Sequence, residues 1–331
     1  MKAIVQHRYG PPEKVLELRD IDGPVLTDDH VLVRVRAAAV AGDDWHLMQG
    51  LPYVARLATG LFKPRNRVPG RDLAGRVEAV GKDVTRFRAG DEVFGWCDGA
   101  LAEFVSVPED ALAPRPVNLT LEQAAAIPIS AFTALQALRD IGQIQAGQRV
   151  LIIGASGGVG TFAVQLAKAF GADVTGVCST SNVDLVRSIG ADRVIDYTRE
   201  DFTHSGRRYD LIIDMVGNRS LSDCRRALTP SGTLVLVGGS GGRWLKGTDR
   251  FIEALVLSPF VRQRLRPLIH TDSQEDLATL KDLVEAGEVT PVISAQYPLS
   301  EVPAAIRHFV AGHAVGKVVV IVSGARSDPP G

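Results

Sequence analysis

An α/β fold is predicted, with a mostly antiparallel β-unit leading into a parallel sheet wrapped by helices. Three observations predict it. Apolar residues recur with a period of two up to about Pro116, and strand-like and helix-like segments alternate from Glu122 onward. Between one such strand and helix lies a glycine-rich turn, Gly154-Ala-Ser-Gly-Gly-Val-Gly160.

The segment His30-Val-Leu-Val-Arg-Val-Arg36 places Val31, Val33 and Val35 on one strand face, with Arg34 and Arg36 on the other. Short strands are expected at Gly75–Val80, Asp91–Phe94 and Ala102–Val107, each bounded by Gly, Pro or Asp. Arg149–Ile153 is a continuous apolar run, as in a strand buried on both faces. The following segment carries Val159, Phe162, Ala163, Leu166, Ala167 and Phe170 at helical spacing and stops at Gly171. Further strands are expected at 173–177, 193–196, 209–213 and 233–237, with helices around 183–189 and 221–228. A helix at 300–311 and a strand at 317–322 close the pattern, and the polar 323–331 tail is expected to fray.

With 331 residues the chain has room for two domains. A formal net charge of −1 and 23% charged residues offer no basic stripe for nucleic acid or an anionic membrane. The N-terminus shows no charged-then-apolar leader, and the apolar runs are too short to span a bilayer. Cys97, Cys178 and Cys224 lie far apart, which suits buried thiols in a reducing compartment, so a cytoplasmic protein is expected.

Gly157 and Gly158 lack Cβ atoms, so their backbone can approach a pyrophosphate closely. The free N–H groups and the positive dipole end of the helix then receive the negative charge. Gly160 lets the helix pack tightly on its strand. An NAD site wants an acidic residue at the end of the second strand. Here Val177-Cys-Ser-Thr-Ser-Asn182 has none, while Ser179, Thr180 and Asn182 can donate to a 2′-phosphate, which favours NADPH. Arg187 is the nearest basic residue in sequence.

Several stretches resemble the medium-chain dehydrogenase/reductase superfamily, in its zinc-independent quinone oxidoreductase branch. They are Pro69-Gly-Arg-Asp-Leu-Ala-Gly-Arg-Val-Glu-Ala-Val-Gly81, Arg88–Phe94, Thr133–Leu138, the glycine loop, Gly190–Tyr197 and Gly316–Val320. The resemblance covers nearly the whole chain. It implies a Rossmann doubly wound sheet inserted in a GroES-like β-domain, as residues 123–295 within 1–122 plus 296–331. It also implies a homodimer. In this resemblance Ser156, Gly157, Gly158 and Val159 form the cofactor loop, and Thr133, Val216, Val237, Gly238 and Gly239 lie near the nicotinamide. Ser179, Thr180, Asn182 and Tyr197 surround the adenosine end, and Lys317 approaches the phosphates.

Alcohol-dehydrogenase relatives in that superfamily carry a catalytic Cys where this chain reads Ala41-Gly-Asp-Asp44, and a Gly-His-Glu where it reads Gly70-Arg-Asp72. Only Cys97 remains of their four-cysteine lobe, so no tetrahedral metal site is expected. Carbonyl polarisation then falls to hydrogen bonds or a charged side chain.

Three residues are candidates for the chemistry. Asp44 either positions a water or the cofactor ribose, or caps the next helix from the surface. His46 is either a proton donor or a structural histidine, and Tyr53 either a phenol donor or a packing aromatic. Arg71 and Asp72 read as an internal ion pair, and Trp96 and Phe104 as cleft wall or core. The apolar stretch 243–270, helical over 251–260, reads as a lid, a dimer surface, a membrane-touching helix or a core helix. Three functions remain open: an NADPH-dependent reductase of small quinones, enones or carbonyls, a zinc-free alcohol/ketone oxidoreductase, and a cofactor-binding assembly or sensor protein.

Overall fold

Alternating burial builds the first sheet. In the strand His30–Val40, Val31, Val33 and Val35 are fully buried while Arg34 faces solvent. The computed structural model describes residues 1–239, 248–311 and 315–322. Among these, the strands Ile293–Pro298, Lys317–Ile321, His30–Val40, Asp72–Val80, Glu92–Trp96 and Leu112–Pro114 lie side by side in that order. Phe104–Pro108 also pairs with His30–Val40. Every pairing is antiparallel except that of Ile293–Pro298 with Lys317–Ile321. The chain's last described strand therefore sits in the middle of a sheet built mainly from its first third. The helix Val302–Val310 buries Val302, Ala305 and Ile306 in the core of this sheet.

The second sheet is wholly parallel. Its order is Arg193–Asp196, Asp173–Cys178, Arg149–Ile153, Tyr209–Asp214, Leu228–Leu236, Arg264–Pro267. The chain starts at the middle strand, works outward to one edge, then returns to build the other half. That reversal leaves a crevice beyond the strand ends, where doubly wound sheets take their ligands.

Within the helix Gly158–Ala169, residues Gly160–Ala167 are all buried, so it is wrapped on more sides than the apolar stripe alone requires. The helix Pro128–Gln136 packs beside it and is buried throughout.

The structure adds elements that periodicity did not reveal. Within the apolar stretch 243–270, residues 243–247 lie outside the described residues. The helix runs Thr248–Leu257, a 3₁₀ turn follows at Ser258–Phe260, and Arg264–Pro267 is an edge strand. Its sequence, Arg-Leu-Arg-Pro, buries Leu265 alone, which is too short a signal to stand out. Ile293–Pro298 crosses the 295/296 position at which the sequence reading divides the chain; it alternates half-buried and exposed residues and ends in Pro. The expected frayed tail, 323–331, lies outside the described residues.

Candidate active site

The glycine loop turns on Gly154, whose φ of +87° is open to Gly and strained for other residues. The Gly154 and Ala155 N–H groups donate to Val177 O at 3.1 and 3.0 Å, which ties the loop to the neighbouring strand. The helix that follows starts at Gly158 with Gly157 as N-cap and has no side-chain cap. A Cβ on Gly160 would lie 2.0 Å from Gly154 O, so the helix meets the turn only because that atom is missing. In front of Gly157, a Cβ would meet nothing nearer than Gly154 O at 3.4 Å. The cradle is bare backbone at a helix N-terminus, which fits a pyrophosphate.

From just before the strand Lys317–Ile321 of the first sheet, Gly316 N donates to Ser156 O at 2.8 Å. Next to it Lys317 is fully buried. Its Nζ donates to Asp72 Oδ2 and to Ser130 Oγ, both at 2.9 Å, and its Cδ lies 3.3 Å from where a Cβ on Gly158 would be. Ile129 N donates to the other Asp72 oxygen at 2.8 Å. The expected Arg71–Asp72 pair is therefore corrected: Asp72 belongs to Lys317. Arg71, just before the strand Asp72–Val80, turns the other way. Arg71 Nη1 reaches Asp43 Oδ2 at 3.4 Å, and its Nη2 meets Asp272. His270 Nε2 stands 3.7 and 3.8 Å from the same two carboxylates. Burial works against the Arg71 charge, but Asp272 and Asp43 outweigh it and hold the guanidinium above its ordinary pKa.

Beyond the end of the strand Asp173–Cys178, Asn182 Nδ2 donates to Ser156 Oγ at 3.1 Å and to Ser179 Oγ at 3.2 Å. Thr180 Oγ1 donates to Asp196 Oδ2 at 2.6 Å, with Arg199 Nε 3.4 Å from the same oxygen. The stretch Val177–Asn182 itself carries no carboxylate. The fold brings one in from the adjacent strand, where it engages the Thr180 hydroxyl and holds Arg199 alongside. Tyr197 is exposed beside them, and Arg187 faces Asp184 at 3.6 Å.

Asp214 organises the opposite end of the crevice. Its Oδ1 accepts from Val216 N at 3.1 Å and Gly217 N at 2.8 Å, and its backbone O from Val237 N and Gly238 N at 2.9 and 3.2 Å. Arg250 Nη2 donates to Asp214 Oδ2 at 2.9 Å in a buried pair. A Cβ on Gly217 would lie 2.5 Å from Gly239 Cα, so the two turns pack backbone to backbone. Thr133 is buried, its hydroxyl donating to Ile129 O at 2.8 Å.

A cavity of about 340 Å³ lies in the β-domain, its wall including Tyr9, Asp44, Met48, Gly70, Arg71 and Asp98. Asp44 is buried, which corrects its reading as a surface cap. It does cap the helix Gly42–Gln49, from inside, with Oδ2 accepting from Ala41 N at 2.8 Å. Burial, with Asp72 and Asp43 near, outweighs that hydrogen bond and pushes its pKa up to about 7. His46 follows on the same helix, half-buried, and does not line the cavity. Tyr53 does not line it either; its ring lies 4.6 Å from the Arg56 guanidinium, whose other side covers Tyr9 at 4.4 Å. Trp96 packs edge-on to Phe132 at 5.3 Å, and Phe104 carries Arg34 at 5.2 Å.

Two family models match parts of the chain. One described as "Alcohol dehydrogenase GroES-like domain" matches residues 27–117, and one described as "Zinc-binding dehydrogenase" matches 189–320. The chain is 35% identical to NAD(P)H oxidoreductase RTN4IP1, mitochondrial, of Mus musculus, over 97% of this chain and 89% of that protein. It is 32% identical to Quinone oxidoreductase of Homo sapiens, covering 97% and 98%. The solved quinone oxidoreductase from Coxiella burnetii superposes with a TM-score of 0.85 at 31% identity, covering 98% and 99%. The chain belongs to the medium-chain dehydrogenase/reductase superfamily, in its quinone-oxidoreductase branch.

This oxidoreductase therefore combines a GroES-like sheet with a Rossmann sheet, and a nicotinamide cofactor goes with its family. Zinc, named in one family description, does not fit the donors present. Arg71 is a cation, Asp72 is held by Lys317, and burial raises the Cys97 thiol far above its ordinary pKa. Among the described residues no three His, Cys, Asp or Glu side chains cluster as a metal site. Sequence reasoning passed over Tyr9, Asp196, Arg199 and Asp214. Asp214 carried one usable signal, as the polar residue ending a buried apolar strand; the others depend on tertiary contact.

Proposed function

We propose that this oxidoreductase is a zinc-free, NADPH-dependent reductase of quinones or α,β-unsaturated carbonyls. The observation that carries the reading is Asp44, a buried carboxyl that lines the cavity and titrates near neutrality. It lies within the field of the Asp72–Lys317 pair that leads to the glycine loop.

When bound, the reduced nicotinamide supplies a hydride. The chain's own residues do the rest. Ser156–Val159 and the helix N-terminus hold the pyrophosphate, and Val216, Val237, Gly238, Gly239 and Thr133 border the nicotinamide. Ser179, Asn182 and Arg199 face the 2′-phosphate. Asp44, with Oδ2 engaged by Ala41, carries its proton on Oδ1 and delivers it as the substrate gains the hydride. Arg71 places a fixed positive charge at the cavity wall for the oxygen that gains electron density. His46 and Tyr53 receive no step here.

The test mixes pure protein with NADPH and a panel of quinones, enones and aldehydes, following loss of reduced-cofactor absorbance. Turnover with quinone or enone is expected. Tight cofactor binding with no turnover across the panel refutes the enzymatic reading, and NADH bound as tightly as NADPH refutes the cofactor choice.

A homodimer is proposed through the edge strand Arg264–Pro267 and the exposed Ile252, Leu255, Val256 and Phe260 beside it. Light scattering that gives a monomer mass refutes it. No helix among the described residues is long and apolar enough to cross a membrane. The three free thiols support a reducing compartment, and the cytoplasm is proposed.

A further inference from the structure

The formal net charge of −1 conceals a local imbalance. Residues 51–68, Leu-Pro-Tyr-Val-Ala-Arg-Leu-Ala-Thr-Gly-Leu-Phe-Lys-Pro-Arg-Asn-Arg-Val, contain Arg56, Lys63, Arg65 and Arg67 and no Asp or Glu. Arg56 turns inward between the Tyr9 and Tyr53 rings. Lys63, Arg65 and Arg67 are exposed, and among the described residues none of the three meets a carboxylate. In the same segment Val54, Leu57, Leu61 and Phe62 are 52%, 72%, 53% and 86% exposed.

This exposure belongs to a lobe with its own internal bonds. Tyr9 Oη donates to Gly60 O at 2.6 Å, Arg56 Nε to Gly50 O at 2.9 Å, and Arg65 N to Thr59 O at 2.9 Å. The lobe is also part of the cavity: Thr59, Pro64, Arg65 and Asn66 share its wall with Asp44. Large apolar side chains next to unpaired cations suit a surface that is greasy below and anionic above. A protein partner would need matching acidic groups and a shaped pocket for each apolar side chain. An anionic headgroup layer supplies diffuse negative charge and takes apolar side chains without shaped pockets.

We propose that this lobe docks the protein on an anionic membrane surface. Leu57, Leu61 and Phe62 enter the headgroup region, Lys63, Arg65 and Arg67 meet lipid phosphates, and an apolar substrate dissolved in the bilayer passes into the cavity from the lipid side. The identity of the cargo rests on the reductase reading; the docking stands on the lobe alone. The attachment is peripheral.

The intact protein is sedimented with vesicles of phosphatidylcholine, or of phosphatidylcholine mixed with phosphatidylglycerol, at low and high salt. Binding to the mixed vesicles alone, reversed by salt, is expected. Each exposed cation near the surface accounts for about fivefold in partitioning, so Lys63→Gln with Arg67→Gln lowers it roughly 25-fold. Leu57→Ser with Phe62→Ser lowers it by at least about tenfold. Both pairs are exposed, and circular dichroism checks that each variant folds. Absence of vesicle binding overturns the proposal, as does binding indifferent to both double variants. Vesicle binding with the stated dependence upholds the docking even where no quinone is reduced. Its absence overturns the docking even where quinones are reduced.

Discussion

Replacing Asp44 with Asn removes a buried titrating group while keeping an oxygen for the Ala41 N–H. The wild-type carboxyl has an ordinary pKa of 3.8 and stands at about 7 in the fold. A raised carboxylate pKa means that the folded chain holds a proton which the unfolded chain has released. Wild-type stability therefore falls as pH rises from about 4 through 7, then levels off. A displacement of that size corresponds to roughly 4 kcal/mol, a large share of the 5–15 kcal/mol typical of a domain. Asp44→Asn lacks this slope, so above pH 8 the variant is the more stable protein by up to that amount, and the advantage shrinks on acidification. Urea unfolding of both proteins at half-unit steps between about pH 4 and 9 measures the difference directly. Activity moves the opposite way. Wild-type kcat declines above about pH 7 as the donor is lost, and the variant is slower by roughly 10²–10⁴ without that descending limb. Parallel stability curves for the two proteins, or a variant with an unchanged pH–rate profile, would refute the placement of Asp44 as a neutral, proton-holding group.

Lys317→Met leaves the Asp72 carboxylate buried without its partner and is expected to cost about 3–5 kcal/mol, with Asp72→Asn added to it recovering most of the loss; a single-variant loss under about 1 kcal/mol in urea contradicts the buried pair. Gly160→Ala sets a methyl 2.0 Å from Gly154 O. It should cost roughly 1–3 kcal/mol and weaken cofactor binding by fluorescence titration; wild-type affinity would show that the turn is not packed this way. Arg199 is exposed and solvent-screened, so Arg199→Ala should raise the NADPH dissociation constant only about fivefold while leaving that of NADH alone. Equal losses for both cofactors would remove Arg199 from the 2′-phosphate.

Much of the fold was legible in the chain because local periodicity and burial coincide. Val31, Val33 and Val35 alternate because one sheet face is dry, and Arg149–Ile153 is apolar throughout because both faces are covered. The glycine loop was readable for the same reason, since Gly154, Gly157 and Gly160 meet backbone constraints within a single turn. What sequence separation concealed is the pairing of charges. Asp72 and Lys317 lie 245 positions apart and meet at 2.9 Å, whereas the adjacent Arg71 faces Asp43 and Asp272. No spacing rule reaches across a crossover between domains. The same holds for Asp196, which the parallel register sets beside Thr180, and for Asp44, whose burial depends on the elements packed around it. By itself, then, the sequence determined the two sheets, the glycine turn between strand and helix and the nicotinamide class of cofactor, all of which follow from short-range pattern. The tertiary structure alone decided which carboxylate is paired, which has its pKa raised and which of the described basic residues stay unpaired, because those properties depend on distance and dielectric and not on order along the chain.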